Sequence, residues 1–190
     1  MESAEIDEIV RAVKAGDRER YGLLVAGYQQ QIFKYCFHML GQLQESEDVT
    51  QEVFLRGLER LESYREGTSF GAWLYKIAYH ECLNRLKRGQ TYLRLLRLFS
   101  RAVPVIQPDR HLAGLAYNPE LREALLLLAP KDRHIILQRI VEDYRFEKIA
   151  GQLDMSYAAV RKRYERTIRK LRQHIADKEE HAHGQSLFDL

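Results

Sequence analysis

Seven cations face a single carboxylate in SYAAVRKRYERTIRKLRQH, residues 156 to 174. Arg161, Lys162, Arg163, Arg166, Arg169, Lys170 and Arg172 stand against Glu165, a local charge of +6. A helix face that meets only water ordinarily mixes its signs to gain i,i+4 pairs. One-sided charge points instead to phosphate contact. With the residues just upstream, FEKIAGQLDM, the stretch 146 to 166 carries a helix-turn-helix pattern, a device for laying a helix in the major groove of DNA. Its apolar skeleton is Ile149, Ala150, Leu153, Met155 and Val160, with Ala150 small where two helices cross and Val160 turned back onto the first helix. Asp154 occupies the turn position where glycine is usual, and Asp is among the few residues that tolerate the left-handed conformation there. Ser156 follows as the N-cap of the second helix.

A second group of residues suited to nucleic-acid chemistry lies at 70 to 88. Stepping about 100° per residue from Phe70 puts Trp73, Leu74, Ile77 and Ala78 on one apolar face. Tyr75, Tyr79, Cys82 and Leu86 form another, nearly opposite, and Lys76, His80, Leu83 and Lys87 share a basic stripe between them. A helix apolar on two sides is deeply packed and exposes only a narrow band. Aromatics interleaved with cations are what a single-stranded nucleic-acid site uses, rings stacking bases while cations hold the backbone. Aromatics at helical spacing also build cores. Phe70 and Trp73 read as core, whereas Tyr64, Tyr75, Tyr79 and His80 fit either role.

These groups must be positioned by a helical scaffold. The chain has 190 residues, 45% hydrophobic and 30% charged, the profile of a soluble, folded, helix-rich protein. Its net charge of +3 hides an asymmetry, with acidic residues clustered before residue 67 and in the last dozen or so positions and basic ones dominating between. Cys36 and Cys82 lie far apart without a CxxC or HxxxC partner, so neither a disulfide framework nor a zinc site is expected, and both read as small buried apolar side chains. No cofactor is expected. No signal peptide opens the sequence and no apolar run is long enough to span a bilayer, so a cytoplasmic protein is expected. Helical spacing predicts helices at 5–15, stopped by Gly16; at about 18–40, stopped by Gly41; at about 45–62, opening on acidic residues that suit a helix N-terminus; and at about 69–88. Nothing alternates with period two, so no sheet is expected. Residues 89 to 118 hold Pro104 and Pro108, with leucines studded by Arg94, Arg97 and Arg101, and read as a linker with one short helical turn. A helix from Pro119 to Leu128 follows, Pro130 breaks it, and another runs from Asp132 to about Val141. The polar stretch 177 to 190 reads as a frayed, disordered tail, and its His181 and His183 as an incidental pair.

The motifs SEDVTQEVFLRGLERLESYREGTSFGAWLYKIAYHECLNRLKR (46–88), then a linker, a two-helix lead-in and the basic helix-turn-helix, resemble bacterial sigma factors of the extracytoplasmic-function group. The resemblance covers about residues 18 to 90 and 119 to 174, and DVTQEVFLR together with FGAWLYKIA makes it specific. It implies an all-α chain of two small helical domains joined by a flexible linker: a region 2 domain (1–90), the linker (91–118), and a region 4 helix-turn-helix domain (119–176) ahead of the tail. Neither domain would be enzymatic. The acidic helix would dock on the clamp helices of the largest subunit of core RNA polymerase through Asp48, Gln51, Glu52, Leu55 and Arg56. Asp48, Gln51, Glu52 and Leu55 do share one helix face at i, i+3, i+4 and i+7. The FGAWLYKIA helix with the loop 62–68 would open the minus-10 element and capture an extruded base, which points to Tyr64, Tyr75, Lys76, Tyr79, His80, Lys87 and Arg88. Relatives often capture that base with an asparagine after IA-x, where this chain has His80, so base preference does not carry over. Ser156, Tyr157, Arg161, Lys162, Arg163 and Arg166 would meet the minus-35 element. Ala158 and Ala159 replace the frequent Gly-Thr, so a hydroxyl contact to the DNA backbone is missing. The implied partners are core polymerase, including its beta flap, promoter DNA, and an anti-sigma protein that in some cases holds its sigma factor at the membrane. The linker arginines have two readings, contact with template strand or RNA, or a plain tether.

Other function classes are weaker fits. A stand-alone helix-turn-helix regulator would bind duplex DNA as a dimer, but no dimerisation helix or ligand pocket is evident beside the paired modules. The histidines are scattered and no Ser/His/Asp, metal or phosphate-loop constellation argues for an enzyme. A helical domain for protein contact alone would not need the +6 helix.

Overall fold

Ile6, Ile9, Val10 and Val13 recur at helical spacing, and the chain buries all of them on one side of α1, Ser3–Lys14. Gly16 stops this helix at φ +113°, a conformation that a side chain would strain. The computed structural model describes residues 2–99 and 119–185, with side chains at 2–89 and 122–174. A short 3-10 turn, Arg18–Arg20, leads into α2, Tyr21–Leu40, which Gly41 closes in the left-handed conformation by donating its N–H to the Phe37 carbonyl at 2.8 Å. Then come α3, Leu43–Glu59, a second 3-10 turn, Leu61–Ser63, and α4, Phe70–Phe99. Helices α2, α3 and α4 pack on one another, with α1 laid against α2.

The meeting of α2 and α3 is set by one hydroxyl. Tyr21, buried, donates its phenolic O–H to the Phe54 carbonyl at 2.8 Å, and a Cβ on Gly57 would lie 2.6 Å from that oxygen. Glycine at 57 is therefore a matter of approach distance. Ser46 and Thr50, also on the buried side of α3, satisfy their hydroxyls by donating to the carbonyls four residues back, Gln42 and Ser46. That leaves the opposite side of α3 to Asp48, Gln51, Glu52 and Leu55.

Among the described residues the second compact unit holds four further helices. These are α5, Pro119–Leu126; α6, Pro130–Ile136, continued by a π turn over Leu137–Val141; α7, Phe146–Leu153; and α8, Tyr157–Gln185. Helix α8 packs on α5, α6 and α7. Arg133 is nearly fully buried, and its guanidinium donates to the carbonyls of Leu125 and Leu126, both at 2.8 Å, and of Leu128 at 3.1 Å. It thus caps, from another helix, carbonyls at and just beyond the end of α5, of which that of Leu125 also accepts the Leu128 N–H at 3.0 Å. Deeper in the unit, Gln152 donates to Gln138 Oε1 at 2.9 Å and faces His134 Nε2 at 3.2 Å, tying α7 to α6 and the π turn. That contact requires the proton on His134 Nε2.

Several boundaries differ from the sequence expectations. The fourth helix continues to Phe99 rather than stopping near 88, because residues 89–99 hold no proline and are mostly Leu, Arg and Gln, good helix formers that outweigh Gly89 and Thr91. Residues 100–118, most of the expected linker and its Arg101, lie outside the described residues. Pro130 does not merely end a helix but begins one, where its missing N–H costs nothing. Helix α8 runs to Gln185, past residue 177 where a frayed tail was expected, since no proline interrupts a run rich in Ala, Glu and Lys. Among the described residues there is no strand, and no helix is long and apolar enough to cross a membrane.

Two stability experiments follow. Gly57→Ala should lower the stability of the chain by about 1–3 kcal/mol through overpacking, and adding Tyr21→Phe should recover most of it in urea titrations. Arg133→Met should cost about 2–4 kcal/mol, and hydrogen exchange on the full chain should show protection lost from α5 to α8 and kept from α1 to α4.

Candidate functional site

Helices α3 and α4 leave a groove between them, and all five residues expected at the polymerase contact line it: Asp48, Gln51, Glu52, Leu55 and Arg56. Leu55 keeps 59% of its surface exposed at this groove, on the side of α3 turned away from its buried face. Arg56 is held by Glu52 at 2.8 Å and Glu59 at 2.9 Å along its own helix. From α4 come Glu81, Asn84, Arg85 and Arg88. Arg85 meets Glu45 at 3.3 Å and Asp48 at 3.7 Å, so an α4 cation stands against the carboxylate row of α3. Sequence reasoning missed Arg85, although its place four residues after Glu81 and three before Arg88 was visible. It also put Arg88 with the minus-10 residues, whereas Arg88 lines this groove.

Around α4 the groove residues are centred about 120° from Lys76, His80 and Lys87, taking 100° per residue. His80 and Lys87 are exposed and Lys76 is half-buried, so the expected basic band exists on a helix packed on its two other sides. The three tyrosines assigned to DNA do not join it. Tyr64 is 3% exposed, Tyr75 1% and Tyr79 4%, too little for a base to stack on any of them in this conformation. Tyr75 packs edge-on against Tyr35 at 5.1 Å, and Tyr64 sits among Phe70 at 5.3 Å and Trp73 at 5.7 Å. Packing α4 between two neighbours turns aromatics from both its flanks into core. Tyr64 also places its hydroxyl 2.9 Å from Asp7 and 2.8 Å from the Thr68 carbonyl. Burial first, and then the Asp7 carboxylate, raise its pKa above the usual phenol range.

In the second unit, the turn between α7 and α8 is as the sequence suggests. Asp154 is left-handed at φ 52°, and the Met155 N–H returns to the Ala150 carbonyl at 3.0 Å. Ser156 Oγ accepts the Ala159 N–H at 3.3 Å, the geometry of an N-cap. Val160 is fully buried and Ala150 nearly so. Of the residues expected to meet DNA, Ser156, Tyr157, Arg161, Lys162 and Arg166 are exposed on one end of α8. Tyr157 leans edge-on towards Phe146 at 6.2 Å. Arg161 pairs with Glu165 at 2.9 Å. Arg163 is different, because its Nε donates to the mostly buried Asp132 at 2.7 Å and fastens α8 to α6. Arg166 reaches the same carboxylate only at 4.0 Å.

A model of Sigma-70 region 2 matches residues 24–92, and one of Sigma-70, region 4 matches residues 119–171. The ECF RNA polymerase sigma factor SigW of Bacillus subtilis is 26% identical over 182 residues, which cover 90% of this chain and 97% of SigW. The chain is an extracytoplasmic-function sigma factor. Two solved structures share its fold: the sigma factor RpoE of Bartonella quintana, in complex with the anti-sigma factor NepR, and CnrH, in complex with the cytosolic domain of CnrY. RpoE has a TM-score of 0.67 at 15% identity, covering 82% of this chain and 96% of its own, and CnrH 0.66 at 19%, covering 90% and 97%. In the sigma factor the region 2 match spans most of α2, all of α3 and about the first three-quarters of α4, and the region 4 match ends within α8. Helix α1 stands outside both.

The two kinds of basic residue on α8 should separate in a denaturation experiment. Arg163→Ala should destabilise the second unit by about 1–3 kcal/mol by stranding the Asp132 carboxylate, while Lys162→Ala should stay within about 0.5 kcal/mol.

Proposed function

We propose that this sigma factor binds core RNA polymerase through the α3–α4 groove and directs promoter-specific initiation by engaging two DNA elements. The observation that carries the reading is the separation of surfaces on one helix pair. Asp48, Gln51, Glu52, Leu55 and Arg56 line the groove, while Lys76, His80 and Lys87 lie about a third of a turn away round α4. One unit can therefore hold protein and nucleic acid together. An exposed leucine among carboxylates and arginines suits a protein partner of mixed charge, the clamp helices of the largest subunit. The basic band with the loop 64–68 takes the single-stranded minus-10 DNA: cations hold its backbone, and an unstacked base lodges at the loop that opens α4. Unstacking costs a few kcal/mol per base, so the loop and the head of α4 must return that energy.

The exposed end of α8 reads the minus-35 element through Tyr157, Arg161, Lys162 and Arg166, with Ser156 capping the helix that carries them. Arg163 contributes by holding α8 in place. The polymerase, touching the second unit through its beta flap, fixes the separation of the two DNA contacts and so raises the effective concentration of the second once the first is made. The chain acts by binding rather than catalysis, in the cytoplasm. An anti-sigma protein covering the groove and Leu55 completes the reading, supported by the two solved relatives that were found with such partners or with a partner's cytosolic domain.

Run-off transcription with core polymerase on DNA upstream of the chain's own gene tests this. Promoter-specific transcripts should appear only with the sigma factor, and Asp48→Arg, which sets a second cation against Arg85, should weaken core binding about thirtyfold or more. Retention of duplex DNA by the chain alone, with no engagement of core polymerase, would establish a stand-alone regulator instead.

A further inference from the structure

Helix α1 lies outside residues 24–92 that match the region 2 model, yet its side chains reach across to the loop ahead of α4. Asp7 makes the central contacts. One of its oxygens is 2.9 Å from the Tyr64 hydroxyl, and the other accepts the Gly67 N–H at 2.9 Å. Lys14 Nζ donates to the Tyr64 carbonyl at 3.1 Å, and Arg11 meets Glu66 at 3.4 Å. The Arg11 pair is exposed on both sides and contributes little. The Asp7 bonds are charge-assisted, and at Tyr64 they are partly sheltered from water.

The loop has few resources of its own. Arg65, Glu66, Gly67 and Thr68 are all exposed, so no apolar burial fixes them. Its internal bonds are a tight return of the Thr68 N–H and hydroxyl to the Arg65 carbonyl, at 3.3 and 2.6 Å, with Gly67 at φ +73°, and the Tyr64 hydroxyl 2.8 Å from the Thr68 carbonyl, which competes with Asp7 for the single phenolic proton. A turn with its tip exposed and so few bonds of its own frays more readily unless something outside it holds that tip. Asp7 does so, one oxygen on the residue that enters the turn and one on its tip, from about 60 residues away in sequence.

We propose that α1 is a brace for the base-capturing loop and that Asp7 is a positioning residue, holding residues 64–68 ready for the unstacked base of the minus-10 strand. The inference rests on the minus-10 assignment made above. A loop that had to order itself on binding would add its own entropy to the cost of unstacking, whereas a braced loop has met that cost during folding. Promoter opening would then depend on a helix outside both the α3–α4 groove and the basic band of α4.

The test uses the full chain assembled with core polymerase and a fluorescent single-stranded DNA. The DNA carries the non-template minus-10 sequence of the promoter found by run-off transcription, together with its single-base variants. Asp7→Ala should weaken binding of this strand about tenfold and flatten discrimination among bases, while affinity for core polymerase stays within about twofold. Asp7→Asn, which keeps one acceptor and loses the charge, should fall between Asp7→Ala and the unmodified chain. Unchanged strand affinity in a folded Asp7→Ala protein would overturn the proposal, as would equal losses for strand and core polymerase, the mark of general destabilisation. Failure of the unmodified holoenzyme to bind the strand would instead remove the minus-10 assignment and the proposal with it.

Discussion

A helix that is apolar on two opposite sides has to find two partners, and α4 finds them in α2 and α3. Much else in the first unit follows from that requirement. Tyr75 and Tyr79 are drawn inward, so the surface left to α4 is a basic band on one side and the wall of a charged groove on another. The close approach of α2 to α3 that completes the sandwich is possible because Gly57 leaves room for the Tyr21 hydroxyl over the Phe54 carbonyl. Burial of the aromatic flanks and display of the polar ones are two results of one packing arrangement.

The second unit meets a different difficulty. Apart from α8 its helices are short, and short helices carry a high proportion of terminal backbone groups without partners. Arg133 answers three carbonyls at the end of α5, and the Gln152, Gln138 and His134 side chains link the pieces around α7. Asp132 anchors α8 through Arg163. Polar side chains in this unit therefore take on work that apolar contact does in the first, and each becomes costly to remove because its partner would be left buried.

The helical class, the two modules and the helix-turn-helix were legible in the sequence because period and capping are local signals. Asp154 in the left-handed turn, Ser156 at the N-cap and Val160 in the core could all be read from neighbouring residues. The α3 wall of the groove was legible for a related reason, since four of its residues lie on one face of that helix, whereas its α4 wall was not. Tyr64, Tyr75 and Tyr79 were not, because whether an aromatic is core or surface depends on which helices arrive beside it. Arg163 and Arg161 are two positions apart with the same chemistry, yet one is a fastening and the other is exposed, and only the distant Asp132 distinguishes them. Asp7 was invisible for the same reason, its partners being nearly 60 residues on.

The carboxylates beside the α8 arginines have a thermodynamic consequence. Of the seven cations between 156 and 174, Arg161, Arg163 and Arg166 already have an acidic oxygen within 4.0 Å. Glu165 and Asp132 act there as counterions built into the chain. A polyanion meeting this helix must displace or share those carboxylates, and it recruits fewer new charge neutralisations than the arginine count suggests. Among the proposed minus-35 contacts, the dependence of affinity on salt then falls most on Lys162, which has no such carboxylate among the described residues, so the helix is strongly basic in composition yet moderated in its response to ionic strength.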